Sequence, residues 1–101
     1  SGGQRKILGV AKALMAAPRL LIMDEPSSGL SPRFVAEVIG MLVRFRAAGS
    51  SLLIAEQNVK FLEIADRVSI LDGGRIGFAG TVDEVRANSA IAQAYFGLKG
   101  R

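Results

Sequence analysis

The sequence predicts an α/β fold in which parallel strands with flanking helices are followed by a β-hairpin and terminal helices. Three observations indicate this: a wholly apolar run at 20–23 that stops at two acidic residues, helical spacing of apolar residues on both sides of that run, and a glycine-containing turn at 72–74 between two strand-like segments. Half of the 101 residues are apolar, so a chain near the lower end of domain size can still form a core.

A helix and a strand are predicted before residue 25. The helix ends at Pro18 and is indicated by apolar residues at helical spacing, namely Ile7, Val10, Ala11, Leu14 and Met15. The run Leu20-Leu21-Ile22-Met23 stops abruptly at Asp24-Glu25-Pro26. A short run without polar residues is typical of a strand buried on both faces of a parallel sheet, and we expect that here.

A second helix and strand follow. Ser31 is predicted to cap the helix and Pro32 to occupy its first position, while Gly49 stands where a C-terminal glycine belongs. The helix carries one apolar stripe, made of Phe34, Val38, Met41, Leu42 and Phe45. Residues 51–55 are interpreted as a second buried strand, and residues 59–65 as a short helix.

The last third of the chain predicts different elements. Two strands, 68–71 and 75–79, flank the turn Asp72-Gly73-Gly74, as expected of a β-hairpin. Thr81 and Glu84 have the spacing of a capping box at the start of another helix. Residues 90–96 are predicted to form a final helical stretch.

Composition excludes several kinds of site. The chain has no Cys and no His, so it has neither disulfides nor thiolate metal sites, and it lacks the commonest metal ligand and general base. Its 13 basic residues exceed its 9 acidic ones by a net charge of only +4 and are scattered along the chain, with one Tyr and no Trp, so nucleic acid is not an expected partner. No apolar run approaches the ~20 residues that span a bilayer. Because the chain opens on Ser-Gly-Gly-Gln without Met, we expect a segment of a longer protein.

The acidic pair is a candidate metal and catalytic site. Asp24 and Glu25 follow the first predicted strand at its carboxyl end, where open parallel sheets bind ligands. Two adjacent carboxylates repel each other unless a cation is near, and Mg²⁺ held with a nucleotide phosphate would satisfy them. The alternative is a strand that simply meets solvent with acidic residues.

The first four residues form a candidate phosphate site. Ser1, Gly2, Gly3 and Gln4 precede a predicted helix, whose N-terminal N–H groups can hold an anion. Glycines let a phosphate approach the backbone, and the Ser hydroxyl adds a donor. The alternative is a linker.

Taken together, these segments resemble the ABC ATPase family over essentially the whole chain. Ser1 to Gln4 resembles its signature motif, residues 20–25 its Walker B strand with the catalytic glutamate, and Ser28-Gly29-Leu30-Ser31 its D-loop. Residues 64–68 and 73–76 resemble its C-terminal region. The resemblance implies the C-terminal portion of a P-loop NTPase-type fold, with ATP and Mg²⁺ as cofactors.

At two positions the sequence differs from the usual ABC ATPase motifs, and these differences indicate a subfamily. The switch position that is usually His is Gln57 here, and the D-loop ends in Ser31 followed by Pro32 rather than in Asp. With the terminal Ala94-Tyr95-Phe96-Gly97, these features resemble the ATPase subunits of branched-chain amino acid importers.

The resemblance also implies roles for the candidate residues. Asp24 would hold Mg²⁺ through water, Glu25 would orient and deprotonate the attacking water, and Gln57 would keep a positioning role without base chemistry. Two domains would face each other head to tail, so that Ser1, Gly2 and Gly3 bind the γ-phosphate of ATP held by the opposing subunit. The remaining ATP-binding residues implied are Gln4, Ser28, Gly29, Leu30 and Ser31.

The expected partners and limits follow from the same resemblance. They are a second nucleotide-binding domain (as homodimer or heterodimer), permease subunits and, indirectly, a periplasmic solute-binding protein, with the ATPase on the cytoplasmic face of the membrane. The 101 residues contain no G-x-x-x-x-G-K-[ST] phosphate loop. We therefore expect the chain alone to be inactive, with an exposed apolar sheet face. The alternatives are a non-transport ABC ATPase of DNA repair or translation, a non-catalytic binding module, and a phosphate- or nucleic-acid-binding domain.

Overall fold

The computed structural model describes residues 2–96, and they fall into two compact units that divide between Asn58 and Val59. The first unit contains two helices and two strands, and the second contains a hairpin and three short helices. In chain order the elements are α1 (Gly2–Met15), β1 (Leu20–Asp24), α2 (Pro32–Ala47), β2 (Ser51–Ala55), a 3₁₀ helix (Val59–Ile64), β3 (Arg67–Asp72), β4 (Arg75–Thr81), α3 (Val82–Ala87) and α4 (Ser89–Phe96). The predicted α/β fold is confirmed.

The sheet of the first unit joins β1 and β2 in parallel, with α2 as the connection between them. Its register runs from Leu20 opposite Ser51 to Asp24 opposite Ala55. The pairing continues one residue further, because the Glu25 N–H donates to the Ala55 carbonyl at 2.7 Å. The register therefore brings the residues that follow both strands to the same edge of the sheet.

The expectations that the first strand is buried on both faces and that the second is a buried strand are wrong for the described residues. Exposure alternates along each strand, and Leu20, Ile22 and Leu53 are 51%, 65% and 60% exposed. Leu21, Met23, Leu52 and Ile54 on the other face are half-buried. The physical reason is that helix packing covers one face of this two-stranded sheet and leaves its opposite face in solvent. The expected exposed apolar sheet face is therefore present.

Helix α2 begins and ends where the sequence predicts. Ser31 is its N-cap and accepts from the Phe34 N–H at 3.4 Å, and Pro32 is the first helical residue. Gly49 follows the last turn with a φ of +101°, a left-handed conformation that glycine adopts without a steric penalty. The buried stripe consists of Val35, Val38, Leu42 and Phe45. It includes Val35, which the sequence prediction omitted, whereas Phe34 and Met41 are only half-buried.

The second unit contains the hairpin, which is longer than predicted. Asp72 and Arg75 pair as strand residues, so the turn consists of Gly73 and Gly74, both with positive φ. This is the combination that favours a two-residue hairpin turn matching the strand twist. The Tyr95 hydroxyl of α4 donates to Asp72 Oδ2 at 2.9 Å, and this hydrogen bond connects the last helix to the hairpin. That hydrogen bond, with the charge on Asp72, raises the pKa of Tyr95.

Short helices complete the second unit. The predicted capping box is confirmed: the Glu84 N–H donates to Thr81 Oγ1 at 3.1 Å, and the Thr81 N–H donates to Glu84 Oε1 at 2.8 Å. The Thr81 backbone and hydroxyl lower the pKa of Glu84. Residues 59–64 form a 3₁₀ helix, with Phe61 and Ile64 buried. None of the helices within residues 2–96 combines the length and apolar character that crossing a bilayer requires.

Candidate functional site

The acidic pair lies at the carboxyl edge of the parallel sheet, as the sequence predicted. Asp24 is the last residue of β1, and Glu25 leaves the strand with a φ of +47°. A left-handed conformation costs a non-glycine residue about 1–2 kcal/mol, so surrounding contacts must hold Glu25 in it. Its N–H is bonded to Ala55 and its carbonyl to Lys6. Both acidic residues are exposed, which leaves their carboxylates accessible to a ligand.

The segment after β1, residues 25–31, is a structured loop rather than a loose connection. The Ser28 N–H donates to the Glu25 carbonyl and the Leu30 N–H to the Ser27 carbonyl, each at 3.0 Å. Gly29 has a φ of +73°, and Pro26 is buried. These turns place Ser28 and Gly29 at the exposed tip of the 25–31 loop. Of the two other predicted ATP-binding residues there, Leu30 is half-buried and the Ser31 hydroxyl caps α2.

Lys6 of α1 forms hydrogen bonds to the 25–31 loop, and the sequence prediction missed it. Its Nζ donates to the carbonyl oxygens of Glu25 and Ser28, both at 3.0 Å. Nothing in the neighbouring sequence indicates this role, because the two acceptors lie 19 and 22 residues further along the chain. The contact connects the helix of the signature-like segment to the loop that begins at Glu25, directly after Asp24.

Glu56 is a second functional candidate that the sequence prediction missed. Its Oε1 accepts from the Ser27 N–H at 2.7 Å, and its Oε2 accepts from the N–H groups of Gln57 at 2.7 Å and Asn58 at 2.8 Å. Partial burial by itself raises the pKa of this carboxyl, but the hydrogen bonds from Ser27, Asn58 and Gln57 outweigh that effect and hold the pKa below its ordinary value. The carboxylate therefore bridges the loops that follow β1 and β2.

Gln57 lies at the same edge of the sheet as the acidic pair. It follows β2 by two residues, and its N–H donates to Glu56, which in turn accepts from the 25–31 loop. Gln57 is exposed, so its amide is accessible to a ligand at this edge. The parallel register thus brings together Asp24, Glu25 and Gln57, three residues that the sequence singled out separately.

The signature-like residues are placed differently from the expectation. Helix α1 begins at Gly2, so Gly2, Gly3 and Gln4 form its first turn instead of preceding it; Ser1 lies outside the described residues. A Cβ on Gly3 would meet the Phe34 ring at 2.6 Å, whereas one on Gly2 would meet nothing within 4 Å. Gly3 is therefore required for the close packing of α1 on α2. Gly2 and Gln4 are exposed at a helix N-terminus, whose first N–H groups lack partners within the helix.

The carboxylates at the sheet edge fit Mg²⁺ only if water and phosphate oxygens supply its other ligands. Within residues 2–96, no three acidic, Cys or His side chains are grouped so that they could enclose a metal ion. Mg²⁺ in nucleotide sites is held by one or two carboxylates, with water and phosphate oxygens as its other ligands. Asp24 would supply one such carboxylate, with Glu25 beside it in the chain.

Comparison with curated proteins identifies relatives along nearly the whole chain. It is 36% identical over 98 residues to the high-affinity branched-chain amino acid transport ATP-binding protein BraG of Pseudomonas aeruginosa, and the match covers 96% of this chain and 42% of BraG. It is also 36% identical over 98 residues to the lipopolysaccharide export system ATP-binding protein LptB of Acidithiobacillus ferridurans, covering 96% of this chain and 41% of LptB. The chain thus spans about two fifths of the length of these relatives.

Comparison with solved structures gives the same result for the fold, while no protein-family model matches the chain. The crystal structure of a nucleotide-free ATP-binding cassette from an ABC transporter aligns with a TM-score of 0.78 at 26% identity. The alignment covers 97% of this chain and 41% of that one. By sequence and by fold, over the part that it spans, the chain therefore belongs to the ABC ATP-binding proteins.

Proposed function

We propose that this chain is the C-terminal part, from the signature motif onward, of the ATP-hydrolysing subunit of an ABC importer. The observation that supports this most is that Asp24, Glu25 and Gln57 follow or end two paired strands at the same sheet edge. In that position a carboxylate on Mg²⁺ and a carboxylate facing water can act on the same phosphate. Glu25 is held at this edge by its N–H, which donates to Ala55, and by its carbonyl, which accepts from Lys6.

In the proposed mechanism each residue at the edge has a separate task. Asp24 would hold Mg²⁺, and the bound ion would offset negative charge on the phosphates. Glu25 orients the attacking water and accepts its proton as the water oxygen bonds to the γ-phosphorus and the bond to ADP breaks. Gln57 donates a hydrogen bond through its side-chain amide, which can position a phosphate oxygen but cannot take up a proton.

The first turn of α1 would complete the ATP site of an opposing subunit. We infer that Ser1, Gly2 and Gly3, with Gln4 in the same turn, approach the γ-phosphate of the ATP held there, and that the helix N-terminus favours its negative charge. Gly2 leaves open space for that approach, since a Cβ there would meet nothing within 4 Å. Gly3 contributes its backbone, while its missing side chain serves packing against Phe34. The tip of the 25–31 loop, at Ser28 and Gly29, belongs to the same proposed interface.

The proposed cargo is a branched-chain amino acid. Its support is the likeness to BraG together with Gln57 and the Ser31-Pro32 pair; the Ala94-to-Gly97 segment ends outside the described residues at Gly97. The assembly would contain a second ATPase domain, identical or related, and membrane permease subunits, and it would receive its cargo from a periplasmic binding protein. The ATPase would act on the cytoplasmic face of the membrane, without a nucleic-acid partner.

A chimera tests the proposed activity. Residues 1–101 replace the matching C-terminal segment of BraG, and phosphate release from Mg²⁺-ATP is measured for the chimera and for the chain alone. We expect turnover by the chimera, because BraG supplies the upstream segment, and none by the chain alone, which has no phosphate loop. A chimera that folds and dimerises but releases no phosphate would contradict the proposal, as would turnover by residues 1–101 alone.

Gln57→Ala in the same chimera tests the positioning role of Gln57. We expect kcat to fall about 10-fold or more, because a phosphate-directed hydrogen bond is lost while the base remains. Gln93→Ala, which removes the same amide from α4, is the matched control and leaves kcat unchanged. Wild-type turnover by Gln57→Ala would exclude the role.

A further inference from the structure

Glu56 occupies a position between the two loops of the site. It directly follows β2 and precedes Gln57, and its two carboxylate oxygens accept from different donors. Oε2 accepts from its own neighbours, Gln57 and Asn58, whereas Oε1 accepts from Ser27, which is 29 residues earlier in the chain. One side chain therefore satisfies backbone donors of both loops.

The contact with Ser27 continues into the rest of the site. Ser27 lies in the 25–31 loop two residues after Glu25, and the carbonyl oxygens of Glu25 and Ser28 accept hydrogen bonds from Lys6. The loop is thus held between an ammonium group from α1 and a carboxylate from the end of β2. Hydrogen bonds to charged groups are stronger than neutral ones, by roughly twofold.

We propose that Glu56 is a positioning residue that fixes the 25–31 loop and the backbone of Gln57 in one arrangement, so that Glu25 and Gln57 are oriented together. This inference rests on the proposed ATP hydrolysis, since it assigns Glu56 to the orientation of the two residues that carry it. Glu56 itself acts through Ser27 and Gln57. It receives three backbone N–H groups at 2.7–2.8 Å, which a carboxylate can accept and an amide cannot.

The substitution Glu56→Gln tests this with little change in shape. A glutamine has one acceptor oxygen and one NH₂ group, so either Ser27 or the Gln57–Asn58 pair must face a donor instead of an acceptor. The bridge is broken in both orientations of the amide. Glu63→Gln, the same chemical change at an exposed glutamate of the 3₁₀ helix, is the matched control.

The substitution Glu56→Asp separates the local contacts from the long-range one. The side chain is shorter by one C–C bond, about 1.5 Å. The neighbouring N–H groups of Gln57 and Asn58 stay within reach, since a short acidic side chain readily bonds to the backbone just after it. The contact to Ser27 is lost. If Glu56 acted by ordering its own turn alone, this variant would behave like the wild type.

The first measurement is made on the chain itself. Amide proton shifts and hydrogen-exchange rates are recorded by NMR for Ser27, Gln57 and Asn58. We expect Glu56→Gln to change all three residues, Glu56→Asp to change Ser27 with a smaller effect at the other two, and Glu63→Gln to change none. Unchanged Ser27 signals in both Glu56 variants, with the fold retained, would overturn the bridge.

The second measurement uses the BraG chimera and separates positioning from loss of fold. We expect kcat for ATP hydrolysis to fall on the order of 10-fold to 100-fold in both Glu56 variants, because a small misplacement of reacting groups has effects of that size. The KM for ATP and the thermal midpoint should stay close to those of Glu63→Gln. Wild-type kcat in Glu56→Gln would overturn the proposal, and wild-type kcat in Glu56→Asp alone would overturn the coupling to the 25–31 loop.

The two proposals fail in distinguishable ways. A wild-type chimera without ATPase activity counts against the proposed function, and the NMR measurement then decides by itself whether Glu56 joins the two loops. An active wild-type chimera whose Glu56 variants keep full kcat leaves the proposed function intact and removes the role of Glu56. A parallel drop in thermal midpoint and folded fraction that accounts for the lost activity would likewise replace positioning by a structural role.

Discussion

Glu25→Gln is expected to reduce the ATPase activity of the BraG chimera by on the order of 10²-fold to 10⁴-fold, with ATP binding retained. The amide has the shape of the carboxylate but cannot accept the proton of the attacking water. The backbone is expected to be unaffected, because the hydrogen bonds that hold Glu25 at a φ of +47° are donated by its N–H and accepted by its carbonyl, and do not involve its side chain. Steady-state phosphate release and equilibrium binding of Mg²⁺-ATP provide the two readouts.

The control for this prediction is Glu63→Gln, which leaves both quantities unchanged. A Glu25→Gln chimera that hydrolyses ATP at the wild-type rate would show that another group takes the proton, and the assignment of Asp24 and Glu25 to metal and base would have to be reversed or abandoned. Loss of ATP binding together with activity would instead point to a role for Glu25 in holding the nucleotide.

Leu42→Ala is expected to lower the free energy of unfolding by about 2–5 kcal/mol. Leu42 is fully buried in the middle of α2, in the stripe that also contains Val38 and Phe45. Removing its branched end deletes buried apolar surface and leaves a cavity that the neighbouring helix and sheet fill only in part. Since a small domain has about 5–15 kcal/mol of stability in total, this loss brings the first unit close to unfolding.

Urea unfolding of the chain, followed by circular dichroism, measures the effect. The matched control is Leu8→Ala, which deletes the same atoms from a side chain that is 56% exposed on α1. We expect that control to change stability by less than about 0.5 kcal/mol, as is usual for surface positions. Equal losses in the two variants would contradict the assignment of the core to the buried stripe of α2.

Local features of the sequence were sufficient for the elements and for the family. The Ser31-Pro32 cap, Gly49 and the capping box at Thr81 all depend on residues a few positions apart, and each is present in the structure as predicted. The hairpin turn is also where the sequence predicts it, although only Gly73 and Gly74 form it. The apolar run followed by the acidic pair is also a local feature, and it indicated the ABC ATP-binding proteins. Short-range rules of this kind depend on backbone geometry alone, so that they can be applied before the fold is known.

The contacts that organise the site depended on tertiary structure. Sequence spacing did not reveal that Lys6 binds the 25–31 loop, that Glu56 reaches Ser27, or that Gly3 packs against Phe34. These partners are 19 to 31 residues apart, and they meet because β1 pairs with β2 in one register and because α1 packs on α2. The apolar strands likewise have the composition of fully buried strands, yet packing covers one face only. Composition determines which surfaces favour burial, whereas the arrangement of neighbouring elements decides which of them are covered.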